Sequence, residues 1–343
     1  MATNNRINND FWVAQTGIGF PSFFNKNNSK QGHWGTTTTG NPANIKCAPD
    51  ADNKLAVIFN QNTIKAITDQ TDLSIYQFII MTSIMLNETG GSFKLSTGEY
   101  GSAKYMFNYD ANIPKVSYNC SGDKAPCSSL GNKTAFDCFH DPVFMNVPAR
   151  ATMYKPKNID NPAWKGYTYP SDEPTGTSKP GNSGRENYQV LGIIGECDFY
   201  KFRGRGVIQL TGRGNYRRFF EYLQTNKAAL ASSIKPSSLA IINSWGVDPP
   251  DLICTKITNP DIDSLFDDNA VAILVFRTHP SNAALKKMYN VQNPNEFIDL
   301  AYAYGKSIGG KKYATHFANR VFEIVENIPN WVTSSSTTPP PVA

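Results

Sequence analysis

The chain has 343 residues, of which 40% are hydrophobic and 18% charged, and it carries a formal net charge of +5 at pH 7. That length and balance fit a soluble globular protein of one large domain or two small ones, with ample residues for a core. The longest apolar run, Leu73 to Asn87, is too short and too broken by Gln77, Thr82 and Ser83 for the roughly 20 residues a membrane span needs. The mild positive charge, with no aromatic-interleaved basic cluster, gives no footing for nucleic-acid binding.

Residues 1–54 are rich in Asn, Thr and Gly, with aromatic islands at Phe11-Trp12 and Phe20–Phe24. They read as an irregular N-terminal extension, either packed on the main body or serving as a small docking segment. Helical periodicity begins at Ile64. From Asp72 to Asn87 the chain reads DLSIYQFIIMTSIMLN, almost wholly apolar, with Thr71 or Asp72 able to cap its start and Gly90-Gly91 to end it. A buried helix is predicted there. Glu88 then falls in the last turn, beside the negative end of the helix dipole, which disfavours a carboxylate by roughly 0.3–1 kcal/mol and raises its pKa. A carboxyl group held protonated near neutral pH is suited to general acid work. The competing reading is an exposed helix-end glutamate without a function.

Residues 110–187 are dense in Pro, Gly, Ser, Asn and Lys, and PSDEPTGTSKPGNSG at 170–184 reads as open loop. Tyr154, Trp164, Tyr167 and Tyr169 within this stretch either stack on sugar rings or fasten the loop. Next comes Phe202-Arg203-Gly204-Arg205-Gly206-Val207-Ile208-Gln209-Leu210-Thr211-Gly212-Arg213, a glycine-arginine turn running into a short apolar strand. Helices are predicted at Tyr216–Gln224, Leu265–Arg277, Asn295–Ile308 and Tyr313–Asn327, so helix dominates. Residues 331–343 end in TSSSTTPPPVA, a polar, proline-rich tail that cannot build a core. The six cysteines, Cys47, Cys120, Cys127, Cys138, Cys197 and Cys254, match no zinc pattern, which leaves disulfides or buried thiols.

The stretch from Phe202 to Thr211, with its continuation Gly212-Arg213-Gly214-Asn215-Tyr216, closely resembles the signature of glycoside hydrolase family 19, the plant-type chitinases and related peptidoglycan-cleaving endolysins. Asn87-Glu88-Thr89-Gly90-Gly91 resembles that family's second motif, a His-Glu-[ST]-Gly-Gly turn closing an apolar helix, with Asn in place of His. Ser307-Ile308-Gly309-Gly310 followed by a helix bearing Arg320 resembles its third, with Ile308 where the family has Asn. The resemblance covers roughly Leu55 to Ile328. It implies a mainly α, lysozyme-like α+β fold: a bilobal helical domain at 55–330 with a small strand element and a long loop insertion at 110–187.

The resemblance also implies an inverting cleavage of β-1,4 bonds, in which one carboxylic acid protonates the leaving oxygen and one carboxylate activates a water. Glu88 takes the acid role. The base is Glu99, eleven residues on, or Asp110 by plant-type spacing; aligning instead on the pair Asn108-Tyr109 puts Tyr105 at that position. Thr211 would hold the attacking water, and Gln209 would bind N-acetyl or hydroxyl groups. Tyr105 and Asn108 join the substrate-binding set, and Arg205 and Arg320 are expected as cleft arginines that orient and tune the carboxylates. No cofactor and no metal is implied. The Arg-Gly-rich turn has neither a Gly-Lys-[ST] loop nor an RGG run, which argues against a phosphate or RNA site.

Two functions are therefore expected. One is a hydrolase of cell-wall polysaccharide, peptidoglycan or alternatively chitin; the other is a non-catalytic glycan-binding or structural component of a phage or injection particle. The start, MATNNRINND, shows no secretory signal. Delivery to the wall by host lysis, a tail or an injection apparatus is the expectation that follows.

Overall fold

A computed structural model describes residues 6–7, 47–70, 72–89, 91–96, 98, 201–291 and 294–326. Of these, 69% are helical and 3% strand, which makes the class mainly α. In chain order the elements are β1 (Arg6–Ile7), α1 (Ala51–Ile58), α2 (Gln61–Thr68), β2 (Leu73–Ser74), α3 (Ile75–Thr89), α4 (Arg213–Leu230), α5 (Pro236–Ser244), α6 (Pro250–Lys256), α7 (Asn259–Phe266), α8 (Asn269–Ala272), α9 (Val275–Thr278), α10 (Asn282–Lys287), a 3-10 turn (Met288–Asn290) and α11 (Pro294–Glu326). β1 and β2 pair antiparallel, Arg6 opposite Ser74. No helix among the described residues is long and apolar enough to cross a membrane.

α3 is the buried helix the sequence predicts, and thirteen of its fifteen residues are buried. An all-apolar helix has no outward face, so it must be covered on every side. α11 packs along it, with Tyr76 against Phe297 at 4.4 Å between ring centroids, and Phe78 meets Phe59 beyond α1 at 5.0 Å. Its start differs from expectation. Ser74 Oγ accepts from the Gln77 N–H at 3.2 Å while Gln77 Oε1 accepts from the Ser74 N–H at 3.0 Å. This is a reciprocal capping box. Ser74 Oγ also donates to the Met288 carbonyl and Gln77 Nε2 to the Leu285 carbonyl, fastening the cap to α10 and the turn after it.

The second apolar run, expected as one helix from Leu265 to Arg277, is divided among the end of α7, α8 and α9. Asp268 is the reason. It is 3% exposed, its Oδ1 accepts from the Ala270 N–H at 3.0 Å and its Oδ2 from the Lys235 N–H at 2.6 Å, so it starts a new helix instead of continuing the old one. α4 runs further than expected, from Arg213 to Leu230, and lies against α5, α6 and α9. α11 joins the two predicted C-terminal helices, with a kink at Gly309 and Gly310 between them.

Between α9 and α10, His279 Nδ1 accepts from the Ser281 N–H at 3.2 Å and lies 2.8 Å from Ser281 Oγ. A ring nitrogen that accepts a backbone N–H carries no proton, so the imidazole is neutral. Burial, with the Arg218 charge adding to it, pushes its pKa down from 6.5 to about 4. Above pH 6.5 the ring is neutral folded or unfolded. Between there and pH 4 only the unfolded chain takes the proton, so stability falls with falling pH, by up to about 3 kcal/mol. His279→Asn, which keeps an acceptor near Ser281 and cannot titrate, should flatten that part of the denaturant-measured stability curve.

Candidate functional site

α3 reaches the surface at one place. Asn87 and Glu88 are half-buried, while Thr89 after them and the twelve residues before them are buried. The helix is closed behind them by Thr89, whose Oγ1 donates to the Met85 carbonyl at 2.6 Å and accepts from the Phe93 N–H at 3.0 Å. Gly91, at φ 82, sends its N–H back to the Leu86 carbonyl at 3.0 Å, a left-handed closure that suits glycine.

Glu88 Oε1 receives two hydrogen bonds from neutral donors, Asn87 Nδ2 at 2.7 Å and the Tyr313 hydroxyl at 2.6 Å. Asn87 Nδ2 also donates to the Tyr313 oxygen at 2.6 Å, which closes a triangle. Asn87 therefore does local work at the position where the resembling family has His. Burial, reinforced by the Glu88 charge, raises the Tyr313 phenol well above its ordinary range, so it remains a donor. Tyr304 of α11 is fully buried near the same carboxyl. Burial lifts its phenol too, with Ser281 pulling the other way and Glu88 adding to the rise. Neither tyrosine was legible as a site residue, since each lies more than two hundred residues from Glu88.

The arginine-glycine stretch forms a tight turn instead of a strand. Arg205 and Leu210 exchange backbone hydrogen bonds at 3.2 and 2.8 Å, and Gln209 sends its N–H to the Gly206 carbonyl at 3.1 Å. Gly206 sits at φ 75, where a Cβ would lie 2.7 Å from Phe266 Cε1, so both backbone and space require glycine. Gln209 is not extended as expected but left-handed at φ 48, with Nε2 donating to the Gly206 carbonyl. Thr211 is exposed, and its Oγ1 donates to the Gln209 carbonyl at 2.7 Å.

Arg205 is buried, at 1% exposure. Nε donates to Asp263 Oδ1 at 2.6 Å, Nη1 to the Lys201 carbonyl at 2.7 Å and to the Tyr216 hydroxyl at 3.2 Å, and Nη2 to Asn259 Oδ1 at 3.0 Å. Arg203 shares these acceptors, with Nη1 2.8 Å from Asn259 Oδ1 and Nη2 3.2 Å from both Asp263 oxygens. A guanidinium stays charged in the interior, so it must be paired there. Arg205 is thus a buried cation that joins the turn to α7.

A further pairing connects the two motifs. Gly98 forms an antiparallel bridge with Arg205, on the side away from Leu210's bridge to the same residue. The chain leaving α3 thus comes alongside the turn one residue before Glu99. Glu99, Tyr105, Asn108 and Asp110 lie outside the described residues, as do Cys120, Cys127, Cys138 and Cys197. Arg320 lies on α11, with its side chain outside them. Cys47 and Cys254 are buried. Among the described residues no group of three His, Cys, Asp or Glu is placed to hold a metal ion.

No family model, curated protein or solved structure matches this chain.

Asp263 is the carboxylate shared by Arg203 and Arg205. Its side chain is about a third exposed, at 34%, so water screens part of the interaction. Asp263→Asn should still lower stability by roughly 3 kcal/mol, the bottom of the range for uncovering a buried ion pair. A denaturant midpoint within error of wild type would show that Asn259 and the carbonyls suffice.

Proposed function

We propose that this protein is an inverting glycan hydrolase that cuts β-1,4 bonds of peptidoglycan, with Glu88 as the general acid. The observation that carries the reading is the carboxyl of Glu88 itself. It sits half-buried at the one point where an otherwise buried helix meets solvent, and its Oε1 accepts from Asn87 Nδ2 and from the Tyr313 hydroxyl. A carboxyl group fixed in place at the solvent edge of a rigid helix is positioned as general acid chemistry requires. The resemblance of three stretches to glycoside hydrolase family 19 supports the reading, and with it a lysozyme-like, bilobal arrangement.

In the proposed step the Glu88 proton passes to the glycosidic oxygen as the bond from the anomeric carbon to that oxygen breaks. A water attacks from the opposite face and gives its proton to the second carboxylate. Glu99 is the preferred base, because the bridge between Gly98 and Arg205 brings its neighbour beside the turn that carries Gln209 and Thr211. Thr211, exposed on that turn, offers a hydroxyl for the water, and Gln209 an amide near the substrate. Arg320 remains the proposed cleft arginine. The net charge of +5 favours an anionic wall over a neutral polymer.

Clearing of purified peptidoglycan, run beside colloidal chitin, tests the activity and separates the two substrates. Glu88→Gln should reduce cutting by a factor on the order of 10²–10⁴, the usual loss for a general acid, while the fold is kept. A folded Glu88→Gln protein that cuts like wild type would remove Glu88 from the mechanism. Binding to glycan without cutting would turn the reading to a glycan-binding part of a phage or injection particle.

The base is assigned by comparing two further variants. Glu99→Gln should inactivate as strongly as Glu88→Gln, whereas Asp110→Asn should be mild; the reverse order in the same clearing assay would transfer the role to Asp110.

A further inference from the structure

The kink in α11 has a specific geometry. Gly310 lies at φ 80 and ψ −172, a region essentially reserved for glycine, and Gly309 lies under the Tyr313 ring, where a Cβ would stand 2.5 Å from Cγ. Before the kink, Gly305 leaves no room for a side chain: a Cβ there would be 3.1 Å from Ala314 Cα and 3.0 Å from Phe317 Cδ1. The two halves of α11 therefore press together. Tyr304 and Tyr313 both stack on Phe317, at 6.0 and 6.1 Å between centroids with interplanar angles of 29° and 18°. The Tyr313 ring is held between its own glycine and a stacked neighbour, and its hydroxyl ends on Glu88 Oε1.

We propose that Tyr313 is a positioning residue for Glu88, its hydroxyl and Asn87 Nδ2 together holding the carboxyl through Oε1. The donors are sufficient for that hold: Asn87 supplies one N–H to Glu88 and one to the Tyr313 oxygen, and Tyr313 supplies its hydroxyl proton to Oε1. This inference rests on the reading of Glu88 as the general acid. Tyr313 and Tyr304 both face the carboxyl, and burial, with the Glu88 charge adding to it, pushes both phenols upward, so they are neutral at working pH.

The test is Tyr313→Phe, which keeps the ring on Phe317 and removes the hydroxyl. The first readout is independent of catalysis: carboxyl ¹³C NMR titration of Glu88 in protein labelled at glutamate, with Glu88→Gln assigning the signal. A donor to Oε1 favours the carboxylate, so its loss should raise the Glu88 midpoint by about one pH unit. The second readout is kinetic, where kcat should fall about ten- to hundredfold with KM changed by less than about twofold, as expected when a hydrogen bond to a charged group orients the acid without touching substrate. Gly309→Ala, which pushes the ring away, should move both readouts in the same direction. An unmoved midpoint in folded Tyr313→Phe overturns the proposal, whatever happens to kcat. A moved midpoint in a protein whose wild type cuts no glycan refutes the hydrolase reading and leaves the hold of Tyr313 on Glu88 standing.

Discussion

Complete coverage of α3 is the constraint on which the other described elements depend. Each large apolar side chain it buries contributes about 1.5–3 kcal/mol, and the helix buries Ile75, Tyr76, Phe78, Ile79, Ile80, Met81, Ile84, Met85 and Leu86. Against that total, placing a carboxylate at the helix end costs only about 0.3–1 kcal/mol. Packing thus decides the position of Glu88, and the electrostatics of the helix end must be accommodated afterwards. Burial also leaves every polar group of the helix needing a partner in the protein. That need accounts for the Ser74–Gln77 box, for the Thr82 hydroxyl donating to the Phe78 carbonyl, and for the ties from Gln77 and Ser74 to Leu285 and Met288.

A different physical solution secures the arginine-glycine turn. Lys201, Arg203 and Arg205 are all nearly inaccessible, at 1%, 3% and 1% exposure. Cations at such depth need acceptors for their charge, and here these come from Asp263, Asn259 and the carbonyls of Lys201 and Thr255. Asn259 and Asp263 are four residues apart on α7, so they present their acceptors on one face. Tyr216 of α4 completes the cluster: its hydroxyl donates to the Arg203 carbonyl at 2.8 Å, and its ring lies 5.2 Å from Phe202. The turn is therefore clamped between α4 and α7 before any substrate is considered.

What the sequence made legible follows from how local each cause is. α3 could be read because its composition alone requires burial, and the two halves of α11 because their periodicity is strong and a Gly-Gly pair separates them. The broken helix at 265–277 was missed because Asp268 looks like an interruption of an apolar run until its partner, the Lys235 backbone, is known. The buried setting of Arg205 was hidden for the same reason. Its acceptors on α7 lie 54 and 58 residues away, and no local pattern says whether an arginine in a glycine-rich turn faces in or out. Gln209 appeared extended because Val207, Ile208 and Leu210 are strand formers, but the turn closing between Arg205 and Leu210 overrides that propensity. Tyr313 was invisible because its contact spans 225 positions and depends on a kink that only the fold creates.

The segment between α3 and the turn links these two clamped regions. Phe93 takes a left-handed φ of 50, which costs a residue with a Cβ about 1–3 kcal/mol. Its ring is 1% exposed, and burying a phenylalanine returns about 1.5–3 kcal/mol, so the strain is offset by burial. The Phe93 N–H is fixed on Thr89 Oγ1, the Leu95 side chain is 5% exposed, and Gly98 is paired to Arg205. A connection anchored at its beginning, middle and end cannot change length by relaxing. The described residues between Glu88 and Gly98 are thus tied on one side to α3 and on the other to the turn that the ion cluster holds.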